Sequence, residues 1–153
     1  MAIFKPMAVD AGLIAMLQRV GLPTDDLCAQ GPATFCGMWE DDQLCGVVAV
    51  ESYGCVGLLR SLAVTPSFRG RGLGRVLVSK AEDLACQAGI DELYLLTISS
   101  SALFERCGFV HVLRGDVPAP IRETKQFSSL CPSTCAVMRK KLQNVRLAAG
   151  VAP

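Results

Sequence analysis

Between Leu58 and Ile98 the chain changes its hydrophobic period twice. The apolar run Leu58-Leu59-Arg60-Ser61-Leu62-Ala63-Val64 suits a buried strand, and Pro66 stops it. Arg69-Gly70-Arg71-Gly72-Leu73-Gly74 then opens a segment in which Leu73, Val76, Leu77, Ala81, Leu84, Ala85 and Ala88 fall at helical spacing, closed by Gly89. Glu92 to Ile98 is again a compact apolar strand. Strand, helix and strand over this length predict two parallel neighbours joined by a right-handed crossover. They also predict an anion site. A glycine turn exposes backbone N–H groups, the helix start adds positive potential, and two arginines bring charge. A ligand carrying phosphates is expected there.

The flanking segments complete one domain over residues 1–142, with residues 143–153 read as a flexible tail. Ala2 to Ala8 reads as a short strand. Asp10 caps a helix reaching Val20, with Leu13, Ile14, Leu17 and Val20 on one face, and Thr24 is expected to cap a short helix from Asp25 to Gln30. Thr34 to Glu40, Gln43 to Ser52 and Cys55 to Val64 form an antiparallel meander turning at Asp41-Asp42 and Tyr53-Gly54. Downstream come a short helix from Ala102 to Cys107, a strand from Phe109 to Leu113, a loop at Pro118 and Pro120, a helical turn from Ile121 to Phe127 and a last strand from Thr134 to Leu142.

Composition removes several function classes. A net charge of +1 argues against a general nucleic-acid binder. No apolar run reaches the roughly 18 residues of a membrane span, and Met1 to Asp10 makes a poor signal peptide, so a cytoplasmic protein is expected. There are eight cysteines but one histidine and no C-x-x-C pair, which argues against zinc. The cysteines read as small apolar fillers under reducing conditions, with Cys131/Cys135 as the one candidate soft-metal or redox pair.

The glycine turn is not a dinucleotide fingerprint, because Arg75 stands where the third glycine belongs, and it lacks the Gly-Lys-Ser/Thr of a Walker loop. Arg69, Gly72 and Gly74 fit a third pattern, Arg/Gln-x-x-Gly-x-Gly/Ala. With Leu62-Ala63-Val64-x-Pro66 before it and Phe104-Glu105-Arg106-Cys107-Gly108-Phe109 after it, the turn resembles the acetyl-CoA motif of the GNAT superfamily of N-acetyltransferases. Glu51-x-Tyr53-Gly54, Leu93-Tyr94-Leu95-Leu96-Thr97, Leu130-Cys131-Pro132-Ser133 and Met138-Arg139-Lys140 further resemble the ArsN-type arsenic-resistance acetyltransferases.

The resemblance implies an α/β fold, a mixed and mostly antiparallel twisted sheet of six or seven strands with a splayed parallel pair and about four helices. It implies acetyl-CoA as co-substrate and no metal. The pantetheine arm would pair with backbone groups at Leu62 and Val64, flanking Ala63. The pyrophosphate would rest on N–H groups from Arg69, Gly70, Arg71, Gly72, Leu73 and Gly74, and Phe104 would pack against the cofactor. The backbone N–H near Val64 would stabilise the oxyanion. Homodimers are common among such relatives.

The chain also departs from the family. The usual glutamate base falls at Leu58 and the usual tyrosine acid at Phe104. Glu51 is the candidate replacement base, because the Tyr53-Gly54 turn folds it back opposite Val56 to Leu58; a solvated charge at a hairpin end is the other reading. Arg60 alternates onto the face of Leu58 and Leu62, where it would hold an acceptor's anion or pair with Glu51. Tyr53, Arg114 and Arg122 are candidates for the acceptor pocket. His111 is expected to have a structural or surface role, and Trp39 to be a core or rim aromatic. The expected function is N-acetylation of a small amino-acid-like amine, with arsenic detoxification as its narrower form. A non-catalytic CoA sensor and a protein or peptide acetyltransferase are the alternatives.

Overall fold

The structure, a computed structural model, describes residues 2–28, 30–130 and 134–142. Strands β1 (Ile3–Met7), β2 (Ala33–Glu40), β3 (Gln43–Tyr53), β4 (Val56–Val64), β5 (Glu92–Thr97), β6 (Val110–His111) and β7 (Ala136–Lys141) form one sheet in the order β1-β2-β3-β4-β5-β7-β6. Every neighbouring pair is antiparallel except β4 and β5, which are parallel. Four α-helices lie among the described residues: α1 (Ala11–Arg19), α2 (Leu73–Gln87), α3 (Ser101–Arg106) and α4 (Ala119–Arg122). This is the mixed fold expected from the sequence. The 143–153 tail, Cys131 of the Cys131/Cys135 pair and the Leu130-Cys131-Pro132-Ser133 segment from Cys131 onward lie outside the described residues.

Local chemistry sets the meander. Asp41 and Asp42 both adopt left-handed backbone, at φ 51° and 62°, the conformation a two-residue hairpin needs to match the strand twist. The Asp10 carboxylate accepts from the Leu13 N–H at 2.9 Å and so caps α1. Leu13, Met16 and Leu17 of that helix bury against Phe35, Val47, Ala49 and Ala63 on one sheet face. On the other face α2 lays Leu77, Val78, Ala81 and Ala85 over Val48, Val50, Leu59, Leu93 and Leu95.

Gly46 permits that approach, because a Cβ there would lie 2.7 Å from both the Ala63 carbonyl oxygen and Leu77 Cδ1. Gly46→Ala should therefore destabilise the fold by about 1–3 kcal/mol, the range for overpacking a filled core. A urea midpoint equal to wild type would show that α2 can move away without loss.

Three expectations change. The described residues of the expected helix from Asp25 to Gln30 are not helical; the Leu27 N–H bonds to the Thr24 carbonyl in a single turn. The reason is tertiary, since this segment folds inward so that Asp26 and the Pro23 carbonyl reach Arg60. The expected turn from Ile121 to Phe127 divides into α4, with Pro120 in its first turn, and a π-helical turn at Gln126–Leu130. Finally, Leu62 does not share a face with Leu58 and Arg60. Val47 aligns with Ala63 but Ala49 with Arg60, so β4 carries an extra residue. Ser61 takes up the bulge at φ 58°. Leu62 consequently joins the α2-side core, whereas Leu58 packs with Tyr94 and Ile121 opposite.

Candidate active site

Strands β4 and β5 pair only over residues 56–58 and 92–94. Beyond that they diverge around a cavity of about 340 Å³. Its walls include Leu59, Arg60, Ser61 and Leu62 from β4, Leu95, Leu96 and Thr97 from β5, and Phe104 from α3. Leu22, Pro23 and Gln126 line it as well. Phe104 belongs to the α2-side core and Leu22 packs with the α1-side core, so the slot passes through the sheet. The Thr65 N–H bonds to the Cys45 carbonyl on β3. By strand alternation the N–H groups of Leu62 and Val64 point the other way, into the slot, where no strand meets them.

At one end the slot adjoins a second concavity of about 200 Å³, lined by Val64, Arg69, Gly70, Gly72, Leu73 and Gly74 together with Arg75, Leu103 and Arg106. Gly72 caps α2 at φ 76°, with no side chain bonded to the helix start and no acidic residue in its first turn. Nothing lies within 4 Å of where a Cβ would stand on Gly70 or Gly72. The first N–H groups of the helix are thus left for an anion. Arg69 folds back, its Nε donating to the Val64 carbonyl at 3.1 Å. Arg71 does not line this concavity; it pairs with Glu40 at 2.9 Å and lies over the Phe68 ring. Arg75 and Arg106 were not singled out as ligands from sequence. Their only signal was position, in the first turn of α2 and inside the Phe-Glu-Arg segment.

At the other end lies a buried polar network. Register sets Glu51 opposite Leu58, as counting across the hairpin suggests. The Arg60 side chain is fully buried, and all five of its N–H donors are used. Nε donates to Ser61 Oγ at 3.2 Å, and NH1 donates to Glu51 Oε2 at 2.8 Å and to Asp26 Oδ2. NH2 donates to Asp26 Oδ1 at 2.9 Å and to the Pro23 carbonyl at 3.2 Å. The Tyr53 hydroxyl donates to Glu51 Oε1. Burial works against the Arg60 charge, but the bonds and attraction from Asp26 and Glu51 outweigh it and raise its pKa. Burial, then the bond to Glu51, pushes the Tyr53 hydroxyl up, so it stays a donor. Arg60 therefore has no donor left for an acceptor's anion, and its pairing with Glu51 is the arrangement seen. Asp26 was not foreseen.

Of this network Arg60 lines the slot, whereas Glu51, Tyr53 and Asp26 line a separate cavity of about 490 Å³ with Asp25, Glu123, Thr124 and Lys125. Neither Arg114 nor Arg122 lines this cavity or the slot; Arg114 lies over the Phe127 ring. His111 is exposed and meets Glu105 at 3.3 Å. Trp39 is half-buried at the rim, under Lys5. No cluster that could hold a metal occurs among the described residues, and no helix among them is long and apolar enough to cross a membrane.

The described cysteines are all free thiols. Burial raises the pKa of Cys36 and Cys45, whereas Cys28 and Cys55 are exposed. Iodoacetamide at pH 8 should modify Cys28 and Cys55 in the folded protein and spare Cys36 and Cys45, as mass spectrometry would report.

A splayed parallel pair, with an uncapped glycine-led helix at its mouth, defines a class of fold rather than one ligand. The acetyltransferase (GNAT) family model matches residues 11–109, and the chain belongs to that family. An uncharacterized N-acetyltransferase of Chlorobaculum tepidum is 36% identical over 80 residues, 52% of this chain and 51% of that protein. An amino-acid acetyltransferase of Ralstonia nicotianae is 28% identical over 123 residues, 79% of this chain and 26% of that one. The matches thus span about half of the first relative's length and a quarter of the second's. Among solved structures, N-acetylglutamate synthase from Neisseria gonorrhoeae, complexed with coenzyme A and N-acetyl-glutamate, superposes with a TM-score of 0.76. That match is 19% identical and covers 94% of this chain and 35% of that one.

Proposed function

We propose that the protein is an acetyl-CoA-dependent N-acetyltransferase acting on a small, amino-acid-like amine. The observation that carries this reading is the through-sheet slot beside an uncapped α2 start. The helix start and the glycine amides, with Arg75 and Arg106 lining the same concavity, suit a pyrophosphate. The free edge of β4 at Leu62 and Val64 suits an extended amide-bearing arm, which would lie there as an added strand. Phe104 suits the apolar side of that arm.

The acceptor's neutral nitrogen attacks the thioester carbonyl and forms the C–N bond. The Val64 N–H supports the developing oxyanion. The C–S bond breaks and CoA leaves as thiolate. The ammonium proton passes toward Glu51, and solvent protonates the thiolate, whose usual pKa near 8.5 makes it a tolerable leaving group. An α-amine, with a pKa of about 7.7–8.0, needs less help than a lysine amine near 10.4.

The Ralstonia nicotianae relative named amino-acid acetyltransferase supports an amino-acid-like acceptor. A role in arsenic resistance has only the segment resemblance behind it. The test is CoA-thiol release from acetyl-CoA with a panel of amino acids, amino-acid amides, diamines, lysine peptides and arsenic- or phosphorus-bearing amino acids. Turnover with small amines supports the proposal. Turnover with peptides alone would favour a protein acetyltransferase, and tight acetyl-CoA binding with no turnover would favour a sensor.

A further inference from the structure

The network around Arg60 leaves a question of chemistry at the acceptor end of the slot. Arg60 is bonded through every donor. Ser61 Oγ accepts from Arg60, and Thr97 Oγ1 accepts from the Ser100 N–H at 2.9 Å. Ser100 precedes α3, beside Phe104 and toward the phosphate end. One lining side chain is different. Gln126 is only 6% exposed, and its amide makes no hydrogen bond to another described residue. No side-chain polar atom among the described residues is both sealed from solvent and unbonded, so the Gln126 amide opens onto the slot, where its acceptor and its donors are left for a ligand.

Gln126 stands at the start of the π-helical turn. Its neighbour Thr124 lines the cavity containing Glu51 and Tyr53, and Phe127 packs with the Leu58 and Tyr94 cluster. Both place Gln126 on the sheet face away from α2 and Phe104. The acceptor, not the cofactor, reaches that face.

We propose that Gln126 binds the acceptor through a neutral hydrogen-bonding group, so that the preferred substrate is an amine of amino-acid size whose carboxyl is masked as an amide or absent. This rests on the N-acetyltransferase reading. A primary carboxamide on the ligand pairs with a glutamine amide donor to acceptor in both directions. A free carboxylate could accept from the Gln126 NH2 but would oppose its carbonyl oxygen. Among the described residues that line the slot the one cation is Arg60, and it already faces the two carboxylates of Asp26 and Glu51.

The experiment compares leucine with leucinamide and phenylalanine with phenylalaninamide, in wild type and in Gln126→Leu. Amides have less basic amines than acids, so the informative quantity is the change in the amide-to-acid ratio of kcat/KM between the two proteins. That ratio should fall about tenfold or more in Gln126→Leu, with the acetyl-CoA KM and the melting temperature unchanged. Calorimetric binding of leucinamide to CoA-saturated protein gives a readout independent of turnover, and affinity should fall about tenfold in the variant. An unchanged ratio or unchanged affinity overturns the assignment, as does the absence of leucinamide binding to wild type. Gln126-dependent binding without turnover would instead retain the site and overturn the catalytic reading.

Discussion

Arg60→Met should destabilise the protein by about 3–5 kcal/mol, the range for removing one partner of a buried ion pair. The substitution fills the volume but leaves the Asp26 and Glu51 carboxylates buried without their counter-charge. It also frees the Pro23 carbonyl and loosens the turn after α1. Arg60→Lys should recover little, since an ammonium has three donors and cannot replace a planar group that bonds Asp26 through both nitrogens at once. The sharper comparison is the triple variant Asp26→Asn, Glu51→Gln, Arg60→Met, which removes the charges together and should regain much of the loss. Chemical denaturation of all three variants decides it. If Arg60→Met unfolds within 0.5 kcal/mol of wild type, a tolerance set at the ordinary effect of a surface substitution, the network contributes nothing to stability.

Glu51→Gln should lower kcat/KM by about 10²-fold or more and leave only the low-pH limb that the acceptor amine itself sets, near its own pKa of about 7.7–8.0. A positioned general base contributes about 10²–10⁴-fold. It works deprotonated, so the rate rises with pH as the base loses its proton, and glutamine cannot titrate. Each Glu51 oxygen already accepts one bond, from Tyr53 and from Arg60, and each keeps a second lone pair for the acceptor's proton. Tyr53→Phe separates catalysis from scaffolding, because it removes one of those bonds while leaving the carboxylate. It should alter the rate much less than Glu51→Gln. A wild-type profile in Glu51→Gln would mean that the proton leaves directly to water.

The parts of this fold that were legible in the sequence are those governed by local chemistry. Paired aspartates turned the first hairpin, Asp10 capped α1, and a change of hydrophobic period marked the strand-helix-strand unit. Counting across Tyr53-Gly54 was enough to bring Glu51 opposite Leu58. What was not legible came from long range or from irregularity. Asp26 meets Arg60 across 34 residues, and nothing in its turn signals that it will abandon a helix to do so. The bulge at Ser61 carries neither glycine nor proline, so simple alternation misassigned Leu62. Gln126 lies in a π-helical turn, a geometry that no hydrophobic period describes.

The brief pairing of β4 with β5 has a mechanical consequence. β5 is bonded to β7 along its whole length but to β4 over three residues, so the sheet is two panels meeting at a short seam, bridged by α2. An extended ligand arm lying along the open stretch of β4 would lengthen that seam. Occupancy would then stitch the panels together, and the protein's resistance to unfolding would become a function of ligand concentration, by about 2.7 kcal/mol at a hundredfold excess over Kd. The same gap that admits a substrate leaves the empty protein divided along its middle.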